Sequence, residues 1–225
     1  MRIIVISDLH GKDYWKEAIK KKADLYVFLG DYIDDYVYPN KKIFQNLNEI
    51  IELRKKNNKV ILLLGNHDIQ YLYFPDYLCT GFRIEMQKSL SSVFRKNKGL
   101  FKVAFQYKNY LFTHAGVSKK WFKKFKDKID IKKFRDKNLA DIFNRVNQTN
   151  KRDILHTVGA IRGGIDQGGI TWADISETSN SFIERYHQIV GHTKVPEIVT
   201  IKNKDSSITY TDCFDSKIEF YILKI

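Results

Sequence analysis

Val60-Ile61-Leu62-Leu63-Leu64-Gly65-Asn66-His67-Asp68 is an apolar run that stops abruptly in polar residues. Five consecutive aliphatic side chains suit a central strand covered on both faces. Gly65 permits a sharp turn, and Asn66, His67 and Asp68 then fall at the strand's carboxyl end, the edge at which open α/β sheets bind ligands. Alone, the stretch reads equally well as a turn whose Asn and Asp bond nearby backbone. Recurrence decides between the two readings. Residues 3–6 end at Ser7-Asp8-Leu9-His10, residues 25–29 at Gly30-Asp31-Tyr32-Ile33-Asp34, residues 110–113 at His114-Ala115-Gly116, and residues 186–190 at Gly191-His192-Thr193. Four of the six histidines occupy such ends, and only His156 and His187 do not.

Between these strands the apolar spacing changes to a helical period. Trp15, Ala18 and Ile19 share one face, and Ile43, Phe44, Leu47, Ile50, Ile51 and Leu53 another. Strand–helix alternation predicts βαβ units, an α/β fold and a mainly parallel sheet. Further along, the pattern predicts a short helix over 69–74 stopped by Pro75, a helix over 84–94, and a hairpin of 100–105 with 110–113 around Lys108-Asn109. It also predicts an amphipathic helical stretch over 119–146, an ordered glycine-rich loop over 150–171, and closing antiparallel strands marked by Val199 and Ile201, Ile208 and Tyr210, and Ile218, Phe220 and Ile222. With no internal repeat, linker or low-complexity tract, 225 residues read as one domain over 1–225.

Composition bounds the function. Hydrophobic residues make up 43% of the chain, too many for a disordered one. No apolar run reaches the roughly 18 to 20 residues of a membrane helix, and the opening strand is too short for a signal h-region. Cys79 and Cys213 share no CxxC spacing and read as small packing residues in a reduced, cytoplasmic protein. The net charge of +13 raises a nucleic acid or another polyanion as a partner. Against that, the chain is rich in Lys, Asn and Ile together, as biased codon usage gives. Its densest basic stretch, 119–137, also carries Asp127, Asp130 and Asp136.

Strand ends that gather at one edge would bring Asp8, His10, Asp31, Asp34, Asn66, His67, His114 and His192 together. Carboxylate, imidazole and amide suit borderline divalent metals: Mn foremost, with Fe, Zn or Co as alternatives. The ligands are too many for one tetrahedral site, so two ions sharing a carboxylate fit better. A pair about 3.5–4 Å apart can generate hydroxide from water and stabilise an in-line displacement at phosphorus.

In order and spacing, Asp8-Leu9-His10, Gly30-Asp31-Tyr32-Ile33-Asp34, Gly65-Asn66-His67-Asp68, His114 and Gly191-His192 resemble the motifs of the calcineurin-like metallophosphoesterases. Phe112-Thr113-His114-Ala115-Gly116, Val190-Gly191-His192-Thr193 and Trp172-Ala173-Asp174 are most similar to the PPP-type serine/threonine phosphatases and their bacterial relatives, which include the symmetrical diadenosine tetraphosphate hydrolases. The resemblance implies a four-layer α-β-β-α sandwich of mixed sheets flanked by helices, with two metals at a sheet edge. It implies that Asp8 and His10 bind the first metal, Asp31 bridges, and Asn66, His114 and His192 complete the second site. His67 would then protonate the leaving alkoxide with Asp34 orienting its ring, and Asn66 could also touch phosphate.

Two departures qualify the likeness. Many members end in Gly-His-X-His, whose last histidine binds the first metal; here Thr193 and Lys194 follow His192, leaving three protein ligands. The PPP branch usually carries Arg-Gly after the motif at 31–34 to bind substrate phosphate, and this chain has Asp35-Tyr36. Arg162, among flexible glycines, is the candidate replacement, and Arg83 a weaker one. The expected substrate is a phosphate monoester, with a phosphoprotein, a nucleotide such as a dinucleoside polyphosphate, and a nucleic-acid end all open. The alternative from another class is a non-catalytic polyanion-binding protein on the same scaffold.

Overall fold

The computed structural model describes residues 1–35, 37–134 and 136–225. The predicted apolar runs form strands β1 (Arg2–Ile6), β2 (Leu25–Phe28) and β3 (Val60–Leu63), separated by helices α1 (Trp15–Lys20) and α2 (Asn40–Lys56). These strands pair in parallel. β4 (Phe101–Lys102) adds to β3, and β10 (Tyr221–Lys224) adds antiparallel to β1, giving the order β10-β1-β2-β3-β4. A second five-stranded sheet, of order β5-β6-β7-β9-β8, comprises β5 (Ala104–Tyr107), β6 (Tyr110–Thr113), β7 (His187–Val190), β8 (Val199–Lys202) and β9 (Ser207–Tyr210). The fold is thus α/β with two mixed sheets flanked by helices, and the single mainly parallel sheet read from strand–helix alternation is corrected to two.

Period-2 alternation explains the layering. On β1, Ile3 and Val5 join Val27, Leu29, Leu63, Phe112 and Ile189 in an apolar layer between the sheets. Ile4 and Ile6 face the other way, into a core with Ile43, Leu47, Ile50 and Ile51 of α2. The outer face of the second sheet is covered by α5 (Lys119–Lys128) and α6 (Leu139–Val146), whose Trp121, Phe125 and Phe143 pack in the same core as Leu111. Each fully buried aliphatic or aromatic side chain contributes roughly 1.5–3 kcal/mol. No helix among the described residues is long and apolar enough to cross a membrane.

Four local expectations are revised. The run 100–105 is divided at Val103, where the chain leaves one sheet for the other. There Asn144 of α6 replaces the missing ladder, accepting from Val103 N (2.9 Å) and donating to Ala104 O (2.8 Å). The stretch 119–146 is two helices, each with its own cap: Ser118 accepts from Trp121 N and Asn138 from Asp141 N. Between them lies a 3₁₀ turn, Ile131–Phe134. Among the closing strands, β9 is parallel to β7, and Ile218 is exposed outside any strand. Finally, the helix expected over 69–74 is α3 (Asn66–Leu72), which begins at the polar residues themselves.

The glycine-rich segment is ordered, as predicted, and is pinned from beneath by a buried imidazole. His156 Nε2 donates to Asn147 Oδ1 (2.9 Å) while Nδ1 accepts from Thr171 Oγ1 (3.1 Å). Burial, reinforced by the charge of Arg152, pulls His156 down to about 3. Held neutral, it binds fewer protons than it does in the unfolded chain. Its contribution to stability is therefore complete above a pKa of about 6.5 and is lost as pH falls from there toward the folded value. Between pH 7 and pH 5, urea unfolding should lose about 2 kcal/mol more in the parent than in His156→Gln. Equal losses would remove His156 as the acid-sensitive element.

Candidate metal centre

β2 and β3 end side by side, and their two turns are stitched together by carboxylates. Asp68, in the first turn of α3, accepts from Gly65 N (2.8 Å), Asp31 N (2.7 Å) and Tyr32 N (3.1 Å). Burial and then the charge of Asp31 push the Asp68 carboxyl upward, and the three N–H groups oppose that rise. Asp31 returns the contact, its Oδ1 accepting from His67 N (3.0 Å). The approach is so close that a Cβ at Gly65 would strike the Asp31 carboxylate. Asp68 does cap its helix, as its place in the sequence indicates, and it also fixes the neighbouring turn.

With Oδ1 committed, Asp31 is left with Oδ2, which lies 3.8 Å from His10 Nε2 and 3.4 Å from His114 Nε2. Both rings are set by backbone carbonyls: His10 Nδ1 donates to Ile33 O (2.8 Å) and His114 Nδ1 to Leu29 O (3.0 Å). Each therefore turns Nε2 toward the carboxylate, in the manner of histidines that ligate metals. Around His114 Nε2 gather Asn66 Oδ1 (2.9 Å), His192 Nδ1 (3.1 Å) and, at 3.9 Å, Asp8 Oδ1. Asp8 is itself held by Ser7 Oγ (2.5 Å) and His192 N (2.9 Å). The result is two overlapping groups that share Asp31: His10, Asp31 and His67, and Asp31, His114 and His192.

The electrostatics of the cluster call for positive charge. Burial opposes ionisation of Asp31, yet His114, His67 and His10 outweigh it and hold the carboxyl well below its usual range. Burial likewise depresses His114, but Asp31 and Asp8 lift it to about 9. His192 is pulled well below its ordinary value by burial, then by the charges of His114 and Arg162, and its Nε2 is buried without a partner. An acceptor-rich point ringed by fixed imidazoles, with an orphaned ring nitrogen beside it, fits divalent metal ions. Backbone strain is concentrated here too. Of the seven described non-glycine residues with positive φ, four are His10, Asp31, Asp34 and His192.

His67 stands at the open side. Its Nδ1 lies 3.1 Å from Asp34 Oδ2, and Asp34 also accepts from Gln70 Nε2 (2.5 Å) and Tyr71 OH (2.7 Å). Burial works against protonation of His67, but the charge of Asp31, the hydrogen bond to Asp34 and the neighbouring Cys79 raise it well above its usual value. A helix beginning at residue 69, as the apolar pattern predicts, gives Gln70 and Tyr71 no relation to His67. Started at Asn66, it places both one turn beyond His67, on the same face. The packing role read for Cys79 is corrected: it lines the cavity, with Sγ 3.9 Å from His67 Nδ1. Both cysteines are free thiols.

The centre opens into a cavity of about 1060 Å³ walled by Leu78, Val158, Ile161 and Trp172. Arg162 lines it, paired with Asp174 Oδ2 (2.9 Å) and donating to Thr193 Oγ1 (3.1 Å). Trp172 meets the His192 ring edge-on at 5.7 Å. Arg83 instead bonds Asn40 and the Tyr38 carbonyl, outside the cavity lining. Where PPP enzymes carry Arg-Gly, Asp35 Oδ1 caps a turn by accepting from Val37 N and Tyr38 N (both 2.6 Å), and Tyr36 lies outside the described residues. One carboxylate that the sequence reading missed, Asp212, also lines the cavity; burial, then Asp8 and Asp31, push it up to about 8. Since Asp68 carries three backbone donors, Asp68→Asn should cost about 2–4 kcal/mol in urea unfolding. A loss under about 0.5 kcal/mol would show that the two turns stand without it.

The fold resembles that of a cold-active protein-tyrosine phosphatase from a psychrophilic Shewanella species. The TM-score is 0.62 at 16% identity, over 99% of this chain and 75% of that one. A protein serine/threonine phosphatase from Saccharomyces cerevisiae matches at 15% identity and TM-score 0.49, covering 94% and 67% of the two chains. A metallophosphoesterase from Sphaerobacter thermophilus matches at 13% and 0.45, covering 100% and 84%. At these identities the likeness is one of fold, and no curated protein matches the chain. The model of one family, calcineurin-like phosphoesterase, matches residues 1–196, which include Asp8, His10, Asp31, Asn66, His67, His114 and His192. The chain belongs to that family, hydrolases of phosphoester bonds that work with divalent metal ions.

Proposed function

We propose that the protein is a dinuclear phosphomonoesterase of the PPP-like kind, with manganese as its native ions and a cytoplasmic setting in which both thiols stay reduced. The observation that carries this reading is the division of Asp31. One oxygen is spent on His67 N, while the other faces His10 Nε2 and His114 Nε2 from between two ligand groups. Asp8, His10 and Asp31 would hold the first ion, and Asp31, Asn66, His114 and His192 the second. When bound, such a pair activates water and neutralises phosphate charge.

The chain's own residues supply the rest. Asp34, fixed by Gln70 and Tyr71, accepts from His67 Nδ1 and so aims Nε2 of that ring at the leaving-group oxygen, where it gives up its proton. Asn66 and Arg162 orient the phosphoryl oxygens. Asp174 and Thr193 hold the guanidinium at the cavity wall, in place of the clamp missing after Asp34. The other cation lining the cavity, Lys194, is held by Asp215 (2.5 Å), so little positive charge is free for a polyphosphate. The apolar walls favour a single phosphate on a larger group, such as a phosphoprotein side chain, over a dinucleoside polyphosphate or a nucleic-acid end.

Manganese-loaded protein should hydrolyse an aryl phosphate, and chelation should abolish this. His67→Asn should keep its metal while losing about 10²–10⁴-fold in kcat. Full turnover in that variant, or loss of its metal, would refute the assigned role. Arg162→Ala should lower kcat/KM about 10–100-fold, the worth of a charge-assisted hydrogen bond. An unchanged kcat/KM would return Arg162 to the role of a surface residue.

A further inference from the structure

β1, β2, β3, β6 and β7 each deliver a proposed metal-binding residue within three positions of their carboxyl ends. β9 runs the same way beside β7, with Val190 opposite Tyr210. His192 stands two residues beyond Val190, Asp8 two beyond the end of β1, and Asp212 two beyond Tyr210. The turn after β9 is bound to the turn after β7: Thr211 N donates to Val190 O and Val195 N to Asp212 O, both at 2.9 Å. Topology therefore carries Asp212 to the same edge as the ligands.

The carboxylate of Asp212 has the character of a group awaiting a cation. The residue is only 6% exposed and lines the cavity together with Asp31, where the charges of both Asp8 and Asp31 act on it. The nearby lysines are taken by another residue, Asp215, which pairs with Lys12 (2.9 Å) and Lys194 (2.5 Å). No donor among the described residues reaches the Asp212 carboxylate. A buried carboxylate in the field of two others costs several kcal/mol to ionise unless positive charge lies beside it. A fourth protein donor is also what the first metal position lacks, since Asp8, His10 and Asp31 supply three and Lys194 follows His192-Thr193 where a further ligand would stand. A carboxylate oxygen suits a divalent ion such as manganese.

We propose that Asp212 is a protein carboxylate of the first metal position, completing the set of Asp8, His10 and Asp31 from the end of β9. This rests on the dinuclear reading above. It makes the missing histidine a change of donor, with the oxygen arriving from the next strand of the sheet.

The test is manganese binding to the 225-residue chain, measured by competition with a chromophoric chelator, for the parent, Asp212→Asn and Asp215→Asn. The parent should take up two ions. Asp212→Asn should weaken one of them on the order of 10–100-fold, while Asp215→Asn, altering the same turn, should keep both. Melting of the metal-free proteins separates a ligand from a structural prop. Removing a carboxyl whose ionised form burial and its acidic neighbours disfavour should leave metal-free Asp212→Asn at least as stable as the parent, with a smaller rise in Tm when manganese is added. Unchanged affinity in Asp212→Asn, equal weakening in Asp215→Asn, or a lower metal-free Tm with an undiminished manganese increment would each overturn the role of Asp212 alone. A parent that binds less than one ion per chain would instead overturn the metal reading itself.

Discussion

The structure depends on one buried carboxylate receiving three backbone N–H groups from two different turns. Without Asp68, the amides of Gly65, Asp31 and Tyr32 would point into an interior that offers them nothing else, each unmet donor costing about 1–3 kcal/mol. With it, the ends of β2 and β3 become one rigid piece. Asp31 is then forced to spend one oxygen on His67 N and to present the other outward. Chemistry at the centre begins from that enforced asymmetry. A carboxylate free to rotate would not sit between two imidazoles.

The second constraint is that the centre is shared between sheets. His10 and Asp31 belong to the first sheet, His114 and His192 to the second, and the apolar layer of Ile3, Val5, Val27, Leu63, Phe112 and Ile189 fixes the distance between them. Cross-sheet bonds at the edge complete the join: His114 Nδ1 to Leu29 O, and His192 N to Asp8 Oδ1. Under the proposed ligand assignment, metal affinity and fold stability are coupled, since ions held by both halves would close the sandwich at the edge its core does not reach.

Much of this was legible in the chain. Aliphatic runs ending in Asp, His or Asn announced the strands and their functional ends, because a buried strand needs apolar side chains throughout and can carry polar ones only where it emerges. The order of those ends was specific enough to identify the family. Arg162 was legible as an unassigned cation among glycines, although not its tether to Asp174. Asp212 was not legible: its strand reads as one more alternating segment, and nothing in Ile208-Thr209-Tyr210 says which way it runs.

By itself, then, the sequence determined the central strands β1, β2, β3, β6 and β7 and the polar groups at their ends, since periodicity and apolar runs act locally. Tertiary structure alone decided that Val103 marks the crossing between the two sheets, that β9 runs parallel to β7, and that Gln70 and Tyr71 brace Asp34. Each of these depends on a partner distant in the chain. For Asn66-His67-Asp68 the division is clear. Local sequence puts three polar residues after Gly65, and only the fold makes Asp68 a brace and sets Asn66 beside His114 and His67 beside Asp34.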